Sequence, residues 1–225
     1  METKRLRGWH AQKKRAPHRG KGSATPDPIR ELKDVEQIRK HLQNDPRDLA
    51  LFNFAVTTGF RASDYLGRSN DPERWPGVLW RDVLTPLGRI RADVTLHEGK
   101  TRKSRTTPIT TKCASSLARW LQTRGGVDAI DLDGPVFTSK KNGQRITIQR
   151  LHQLVRAWTK AARLDGRYSS HSLRKCFGVM NASGKNGLSI EELMTSFNHS
   201  SEKTTLRYLG IQAKVIGDKI RAKDF

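Results

Sequence analysis

Two stretches of alternating side chains constrain the fold most, because the rest of the chain is patterned mainly for helices. Residues 89–96 and 105–109 alternate with a period of two, and the basic stretch EGKTRKS lies between them. This pattern predicts a β-hairpin with a cationic tip. The predicted fold class is therefore α+β and mainly α-helical, with one small antiparallel sheet.

Helical spacing of apolar residues predicts the other elements. We expect Asp34 to cap a first helix, and Gly59 to end a second helix that begins near Arg47. A short helix over residues 60–66 leaves Arg61 at a helix start, where backbone donors can also face an anion. Further helices are predicted over residues 111–122, 148–163, 172–183, 190–197, 201–209 and 213–223.

Residues 1–25 differ in composition from residues 26–225, which we take as one domain. They contain eight Lys or Arg and almost no aliphatic side chain besides Leu6, so they cannot bury a core. We predict a disordered basic arm that becomes ordered on a phosphate backbone, and a solubility tail is the alternative. The candidate DNA-binding residues of this arm are Lys4, Arg5, Arg7, Lys13, Lys14 and Arg15.

The whole chain is strongly basic, with 43 Lys or Arg against 22 Asp or Glu and a formal charge of +21. Such an excess is typical of proteins that bind polyanions, because each phosphate neutralised by a cation releases counterions. It does not by itself indicate catalysis. Cys113 and Cys176 are far apart and no CxxC occurs, so neither a metal site nor a disulfide is predicted.

The apolar runs of the sequence are also informative. None approaches the roughly 18–20 residues of a membrane span, and the first residues lack the apolar centre of a signal peptide. Together with the positive charge and the unpaired cysteines, this favours a DNA-associated protein of the reducing cytoplasm. We expect no cofactor.

The C-terminal part of the chain carries the residues best suited to chemistry. HSLRKCF begins at His171, and NHSSEKTTLRYLG runs from Asn198 to Gly210. Attack on a phosphodiester requires a nucleophile that loses a proton, cations for the non-bridging oxygens, and a proton for the leaving oxygen. Tyrosine, with a reference pKa of about 10, can be the nucleophile near a base or a positive field. Arginine suits the phosphate because its planar guanidinium binds it in a bidentate manner.

Four sequence blocks together resemble the tyrosine recombinases, also called the phage integrase family. The blocks are TTGFRASDYLG, GKTRKSRTTPI, HSLR and HSSEKTTLRY, in this order, and the resemblance extends from about residue 32 to residue 217. It implies a nucleophile, Tyr208, and a supporting carboxylate, Asp64. The other catalytic residues that it implies are Arg61, Lys100, His171, Arg174 and His199.

Each of these assignments has a simpler alternative. Tyr208 can be an ordinary core tyrosine, the arginines can be surface charges, and the histidines can be core residues with satisfied hydrogen bonds. Arg174 follows His171 by three positions, which puts both on one helix face. The candidate DNA-binding residues outside the arm are Arg102, Lys103, Arg105 and Lys175.

The sequence departs from the family pattern at two positions. Lys175 stands where a second histidine is often found, and Asn198 replaces the glycine usual before the last histidine of the motif. Because asparagine tolerates the left-handed backbone conformation, we expect the turn at Asn198 to be kept. Most family members also have an additional N-terminal helical domain, so the resemblance implies either a fragment or a short member like the fimbrial phase-switch invertases.

The resemblance implies a site-specific DNA recombinase that works through a 3′-phosphotyrosyl intermediate. Its expected partner is double-stranded DNA with specific recombination sites, on which four protomers assemble, with a monomer as the alternative without DNA. In the family the C-terminal helix, here within residues 211–225, docks on a neighbouring protomer; packing on its own core is the alternative. The rival functions are DNA relaxation by a type IB topoisomerase and DNA binding without catalysis.

Overall fold

The computed structural model describes residues 25–68, 70–99, 103–183, 186–210 and Arg221. The predicted arm, Lys100, Arg102 and the predicted docking segment lie outside these residues, apart from Thr25 and the exposed, helical Arg221. The described elements are α1 (Leu32–Leu42), α2 (Pro46–Thr58), α3 (Ala62–Tyr65), α4 (Trp80–Val83), β1 (Asp93–His97), β2 (Ser104–Pro108), α5 (Thr111–Thr123), α6 (Ile148–Ala161), α7 (Ser170–Ala182), α8 (Ile190–Phe197) and α9 (Glu202–Leu209). The predicted mainly helical α+β fold is thus confirmed.

Helix α2 is the central element of the main core. It is apolar on almost all sides, with Leu51, Phe52 and Phe54 fully buried, as expected of a helix surrounded by protein. The Asp45 side chain accepts from the Asp48 amide at its start, where Pro46 has no amide to satisfy. Helices α5 and α7 pack against α2, and α1 packs against both α2 and α6.

The predicted start of α1 is wrong by three residues. Asp34 does not cap the helix, because the Val35 amide already donates to the Glu31 carbonyl and the helix begins at Leu32. Asp34 lies instead in the first turn, where a carboxylate faces the positive end of the helix. The short helix α4 was also not predicted.

The two strands pair in antiparallel register from Asp93 opposite Pro108 to His97 opposite Ser104. Their side chains alternate strictly, so Val94 and Leu96 of β1 face the interior, as does Arg105 of β2. The first strand begins four residues later than predicted, because a turn around Gly88 and a bridge between Leu84 and Ile90 occupy the preceding segment.

Helices α8 and α9 form a smaller hydrophobic cluster against α7. Phe177 and Val179 of α7 pack there with Leu193, Phe197 and Leu209. Helix α8 has the predicted bounds, and it ends at Asn198, which adopts φ 50°. The expected left-handed turn at Asn198 is therefore confirmed. This turn reverses the chain and brings α9 back beside α7.

Gly59 ends α2 as predicted, and the fold requires a glycine at this position. Its φ is +63°, and a Cβ there would lie 2.5 Å from the Phe177 ring. Its carbonyl oxygen accepts a 2.7 Å hydrogen bond from Arg174. The residue therefore reverses the chain, admits an aromatic ring and provides an acceptor for a buried arginine.

We expect Gly59→Ala to lower the free energy of unfolding by about 2–5 kcal/mol, because left-handed strain adds to crowding of Phe177. Gly143→Ala is the matched control, since Gly143 has φ +67° but no atom within 4 Å of an added Cβ. Its expected loss is about 1–2 kcal/mol, from backbone strain alone. Urea unfolding of both variants measures the difference, and equal losses would show that the Phe177 contact is unimportant.

Candidate active site

A buried glutamate, Glu98, brings together the two predicted catalytic arginines. The Arg61 guanidinium nitrogen Nη1 lies 2.9 Å from Oε2 of Glu98, and the Arg174 Nη1 lies 3.5 Å from Oε1. The Glu98 side chain is fully buried, so its charge is compensated by these cations rather than by water. Arg61 comes from the α2–α3 junction, Arg174 from α7 and Glu98 from the end of β1, so three separate elements converge on one carboxylate.

Arg174 is held firmly from the backbone. Its Nη1 donates to the Gly59 carbonyl at 2.7 Å and its Nη2 donates to the Phe197 carbonyl at 2.8 Å. The guanidinium carbon also lies 4.8 Å from the centre of the Phe197 ring, an attractive cation–π arrangement. Only 2% of the residue is exposed, so its orientation is set by the fold before any ligand arrives.

Arg105, one of the predicted DNA-binding residues, is a third cation at this carboxylate, and its role in DNA binding stays a prediction. Its Nε lies 3.4 Å from Oε1 of Glu98, and its Nη2 donates to the Thr58 carbonyl at 3.0 Å. The strand alternation turns it inward, where its guanidinium lies 3.9 Å from the centre of the Phe60 ring. Burial, followed by the charge of Arg174, lowers the pKa of Arg105 to about 10, so it is charged at neutral pH.

Asp64 ties the hairpin to the first arginine. Its Oδ2 accepts from the Arg61 amide at 3.3 Å, and its Oδ1 accepts from the Gly99 amide at 3.2 Å. Burial and the neighbouring Glu98 charge raise the pKa of Asp64, against the hydrogen bond from Gly99. For Glu98, burial also acts to raise the pKa, but the hydrogen bond from Asn198 and the charges of Arg61 and Arg174 lower it below the ordinary value. Glu98 is therefore ionised at neutral pH.

Tyr208 lies on α9 beside these arginines and is half-buried. Its ring centre is 5.4 Å from that of His199 and 5.2 Å from that of Phe197. The Arg174 guanidinium carbon lies 6.0 Å from the Tyr208 ring centre. Burial raises the pKa of Tyr208, whereas the charges of Arg174 and Arg61 act to lower it. The phenol is therefore protonated at rest, so attack by its oxygen requires a base.

The two predicted histidines occupy different positions. His199 is half-buried, stacks on Phe197 and exchanges a hydrogen bond between its Nδ1 and the Thr205 hydroxyl at 3.0 Å. His171 lies in the first turn of α7 with its side chain exposed. Desolvation and then the charge of Arg174 lower the pKa of His171 below 6.5, so the ring is largely neutral at pH 7 and can accept a proton.

The two described lysines among the DNA-binding candidates also differ. Lys103 is exposed at the start of β2, as expected. Lys175 is buried, and its ammonium donates to the Pro26 carbonyl at 2.7 Å, so it is not an open surface charge in this structure and its assignment to DNA binding stays a prediction. Helix α7 turns this position inward, towards residues N-terminal to α1.

The described structure thus brings Arg61, Asp64, Arg174, His199 and Tyr208 into one site. Sequence reasoning missed Glu98, although the sequence carries a signal for it. The alternation that buries Val94 and Leu96 continues to Glu98, so an acidic side chain is placed on the buried face of a basic hairpin. A carboxylate in such a position requires cations as partners.

The arrangement is suited to binding an anion above the arginine cluster. Arg61, Arg105 and Arg174 carry three positive charges against the two carboxylates of Glu98 and Asp64, which leaves an excess of one positive charge. A phosphate diester bears one negative charge and matches this excess. Arg61 is the least enclosed of the three arginines, with 16% of its side chain exposed against 7% for Arg105 and 2% for Arg174.

The chain is similar in sequence to known proteins of one family. The family model described as "Phage integrase family" matches residues 30–214. The chain is 27% identical to the probable integrase/recombinase YoeC of Bacillus subtilis over 82% of this chain and 89% of that protein. It is 28% identical to the tyrosine recombinase XerC of Actinobacillus pleuropneumoniae over 78% of this chain, but it spans only 53% of that protein.

Solved structures show the same fold at lower identity. The crystal structure of XerA recombinase matches with a TM-score of 0.64 and 17% identity, over 90% of this chain and 67% of that one. XerH recombinase bound to its palindromic difH substrate matches with a TM-score of 0.62 and 16% identity, over 88% and 53%. A lambda integrase dimer bound to a COC′ core site matches with a TM-score of 0.58 and 15% identity, over 85% and 50%.

We expect Glu98→Gln to lower the free energy of unfolding by about 3–5 kcal/mol, because it leaves buried arginines without their counter-charge. Glu36→Gln is the matched control, since Glu36 also pairs with two cations but 43% of its side chain is exposed. Its expected loss is about 1 kcal/mol or less. Urea unfolding of both variants is the measurement, and a loss under about 1 kcal/mol for Glu98→Gln would contradict the role of this carboxylate.

Proposed function

We propose, from the premise that this chain belongs to the phage integrase family, that it is a site-specific tyrosine recombinase that cuts and rejoins DNA strands. The observation that carries the proposal is the convergence of Arg61 and Arg174 on Glu98, with the Tyr208 ring 6.0 Å from the Arg174 guanidinium carbon. The site combines a nucleophile with two cations that suit the same phosphate.

In the proposed reaction the Tyr208 oxygen attacks the scissile phosphorus and forms a 3′-phosphotyrosyl bond. The bond from phosphorus to the 5′ oxygen breaks, and a free 5′-hydroxyl results. His171 accepts the phenol proton, and Lys100 supplies a proton to the leaving oxygen. A 5′-hydroxyl from a partner duplex then attacks the phosphorus and loses its proton, the bond to the Tyr208 oxygen breaks, and the phenol is protonated again. One phosphodiester bond replaces another, so the strands are exchanged without an external energy source.

The charge that develops on the phosphate oxygens is stabilised by Arg61, Arg174 and His199. Arg174 needs no reorganisation for this role, because the carbonyls of Gly59 and Phe197 already fix its guanidinium. These groups supply the nucleophile, the base, the acid and the cations, so we propose that the reaction proceeds without a metal ion.

The proposed partner is double-stranded DNA carrying specific sites, on which four protomers assemble. The structural relatives XerH and lambda integrase were solved on DNA, which supports a DNA substrate here. The excess of 43 basic over 22 acidic residues supports phosphate-dominated binding, with the arm residues, Arg102 and Lys103 as backbone contacts.

We expect a covalent protein–DNA adduct when the full chain is incubated in EDTA with nicked suicide duplexes and run on a denaturing gel. The duplexes come from a randomised pool or from DNA flanking the coding gene, since the target site is unknown. Tyr208→Phe is expected to abolish the adduct but to keep DNA binding, because it removes only the attacking oxygen. An adduct that persists in Tyr208→Phe would refute the assignment of the nucleophile, and tight binding of a verified site without any adduct would favour a binding protein.

We expect the rate of adduct formation to rise with pH below pH 6.5 and to level off above it. The pKa of His171 is lowered from 6.5, so the base is lost only when the pH falls through this lower value. His171→Gln is expected to lower the rate by about 100-fold or more and to flatten this part of the profile. Single-turnover rates between pH 5 and pH 8 test this, and an unchanged profile in His171→Gln would assign the base to another group.

A further inference from the structure

The segment that precedes α1, residues 25–31, contacts α7, α9 and the loop that leads into α7; we call it the strap. Its Pro28 and Ile29 are buried, and Ile29 belongs to the main core. The strap has no regular secondary structure, so its position depends on contacts with other elements. Three such contacts are described below.

The first contact is a pair of hydrogen bonds between Asp27 and Arg167, which we call the staple. The Asp27 amide donates to the Arg167 carbonyl at 2.8 Å, and the Arg167 amide donates to Oδ2 of Asp27 at 3.0 Å. This pair of bonds fixes the beginning of the strap against the loop that leads into α7. Neither residue contacts Tyr208 in any described interaction. A substitution in this pair therefore changes the strap without removing a contact of the nucleophile.

The second contact comes from Lys175, which follows the predicted catalytic Arg174. Its ammonium donates to the Pro26 carbonyl at 2.7 Å and lies 5.6 Å from the centre of the Tyr208 ring. Because only 4% of the Lys175 residue is exposed, its charge lies in the interior and not at the surface. One buried cation thus touches both the strap and the surroundings of the nucleophile.

The third contact reaches the end of α9. Nη1 of Arg30 donates to the Leu209 carbonyl at 3.4 Å, directly after Tyr208 in the sequence. A cation at this position also interacts favourably with the negative end of the helix. Gly210 makes the approach possible, since a Cβ there would lie 2.5 Å from Nη2 of Arg30.

We propose that the strap positions the nucleophile helix α9, with Lys175 and Arg30 as positioning residues that join the strap to Tyr208. This deepens the proposed function and rests on it. Residues 1–24 directly precede the strap and carry eight Lys or Arg. In this proposal, residues 25–31 connect the basic segment to the helix that carries Tyr208. Binding of the basic segment to DNA can then change the position of Tyr208 and so regulate the rate of cleavage.

The test compares Asp27→Ala, Arg30→Gln and Lys175→Met with wild type in the full-length chain. We expect each variant to lower the single-turnover rate of adduct formation at saturating suicide duplex by about 10-fold, with the DNA Kd changed by less than about twofold. Asp27→Ala is the decisive variant, because neither Asp27 nor Arg167 contacts Tyr208 in any described interaction. The double variant Asp27→Ala/Arg30→Gln is expected to lose less than the product of the single effects, since both changes release the same strap.

Arg119→Gln is the matched control. Arg119 also donates from its guanidinium to a carbonyl at the end of a helix, that of Gln43 after α1, but it lies outside the site. We expect its cleavage rate and DNA affinity to equal those of wild type. A loss in this variant as large as that in Arg30→Gln would show that removal of any such contact suffices, and would overturn the proposal.

Two further outcomes would overturn it. If Asp27→Ala cleaves at the wild-type rate, the strap does not position α9. If Lys175→Met loses activity only through weaker DNA binding, with a salt dependence reduced by about one phosphate contact, Lys175 binds DNA instead.

Hydrogen exchange separates failure of this proposal from failure of the proposed function. Release of the strap is expected to speed amide exchange in residues 202–209 at least several-fold in Asp27→Ala and Arg30→Gln, with or without DNA. If the wild-type chain forms no adduct on any duplex, the proposed function fails, but the exchange result still decides whether the strap holds α9. Unchanged amide exchange in both variants would refute the proposal that the strap holds α9.

Discussion

The ion cluster around Glu98 is the interaction on which the rest of the site depends. Burying a charged carboxylate without partners raises the free energy of the folded state, and three guanidinium groups at close range repel one another. The carboxylate and the arginines therefore each need the other to be stable in this position. Together they join the α2–α3 junction, the hairpin and α7. Asn198 adds the α8–α9 turn, since its side-chain amide donates to Oε2 of Glu98 at 2.8 Å. The carboxylate therefore fixes the relative positions of the arginines and of the turn that leads to Tyr208.

Backbone carbonyls are as important as side chains in holding Arg174. Gly59 provides one acceptor because its left-handed conformation ends α2 at that point, and Phe197 provides another at the end of α8. A carbonyl is available from any residue, so such a contact depends on the path of the chain and not on the identity of the residue. Contacts of this kind can persist when most residues change, and the 17% identity to XerA shows how far sequences of this fold differ.

What was predictable from the sequence was mainly local. The end of α2 at Gly59, the bounds of α8 and the left-handed Asn198 follow from rules that involve a few neighbouring residues. The inward positions of Arg105 and Lys175 were not foreseen, because both cations satisfy acceptors far away in the sequence, at Thr58 and Pro26. Glu98 was missed for a similar reason, since its partners belong to elements whose packing the sequence pattern does not specify. The family resemblance supplied the list of site residues, whereas the structure supplied the carboxylate that organises them.

The small hydrophobic cluster under α8 and α9 has a consequence for any preparation of this protein. Tyr208 packs on this cluster, whereas Arg61 and Asp64 belong to the region of the larger core. Units with fewer buried contacts open at a lower free energy than the global unfolding of the chain. We therefore expect local opening to displace the tyrosine in some molecules whose main core is intact. The fraction of protein that is folded and the fraction that is competent to form a covalent bond are two separate quantities.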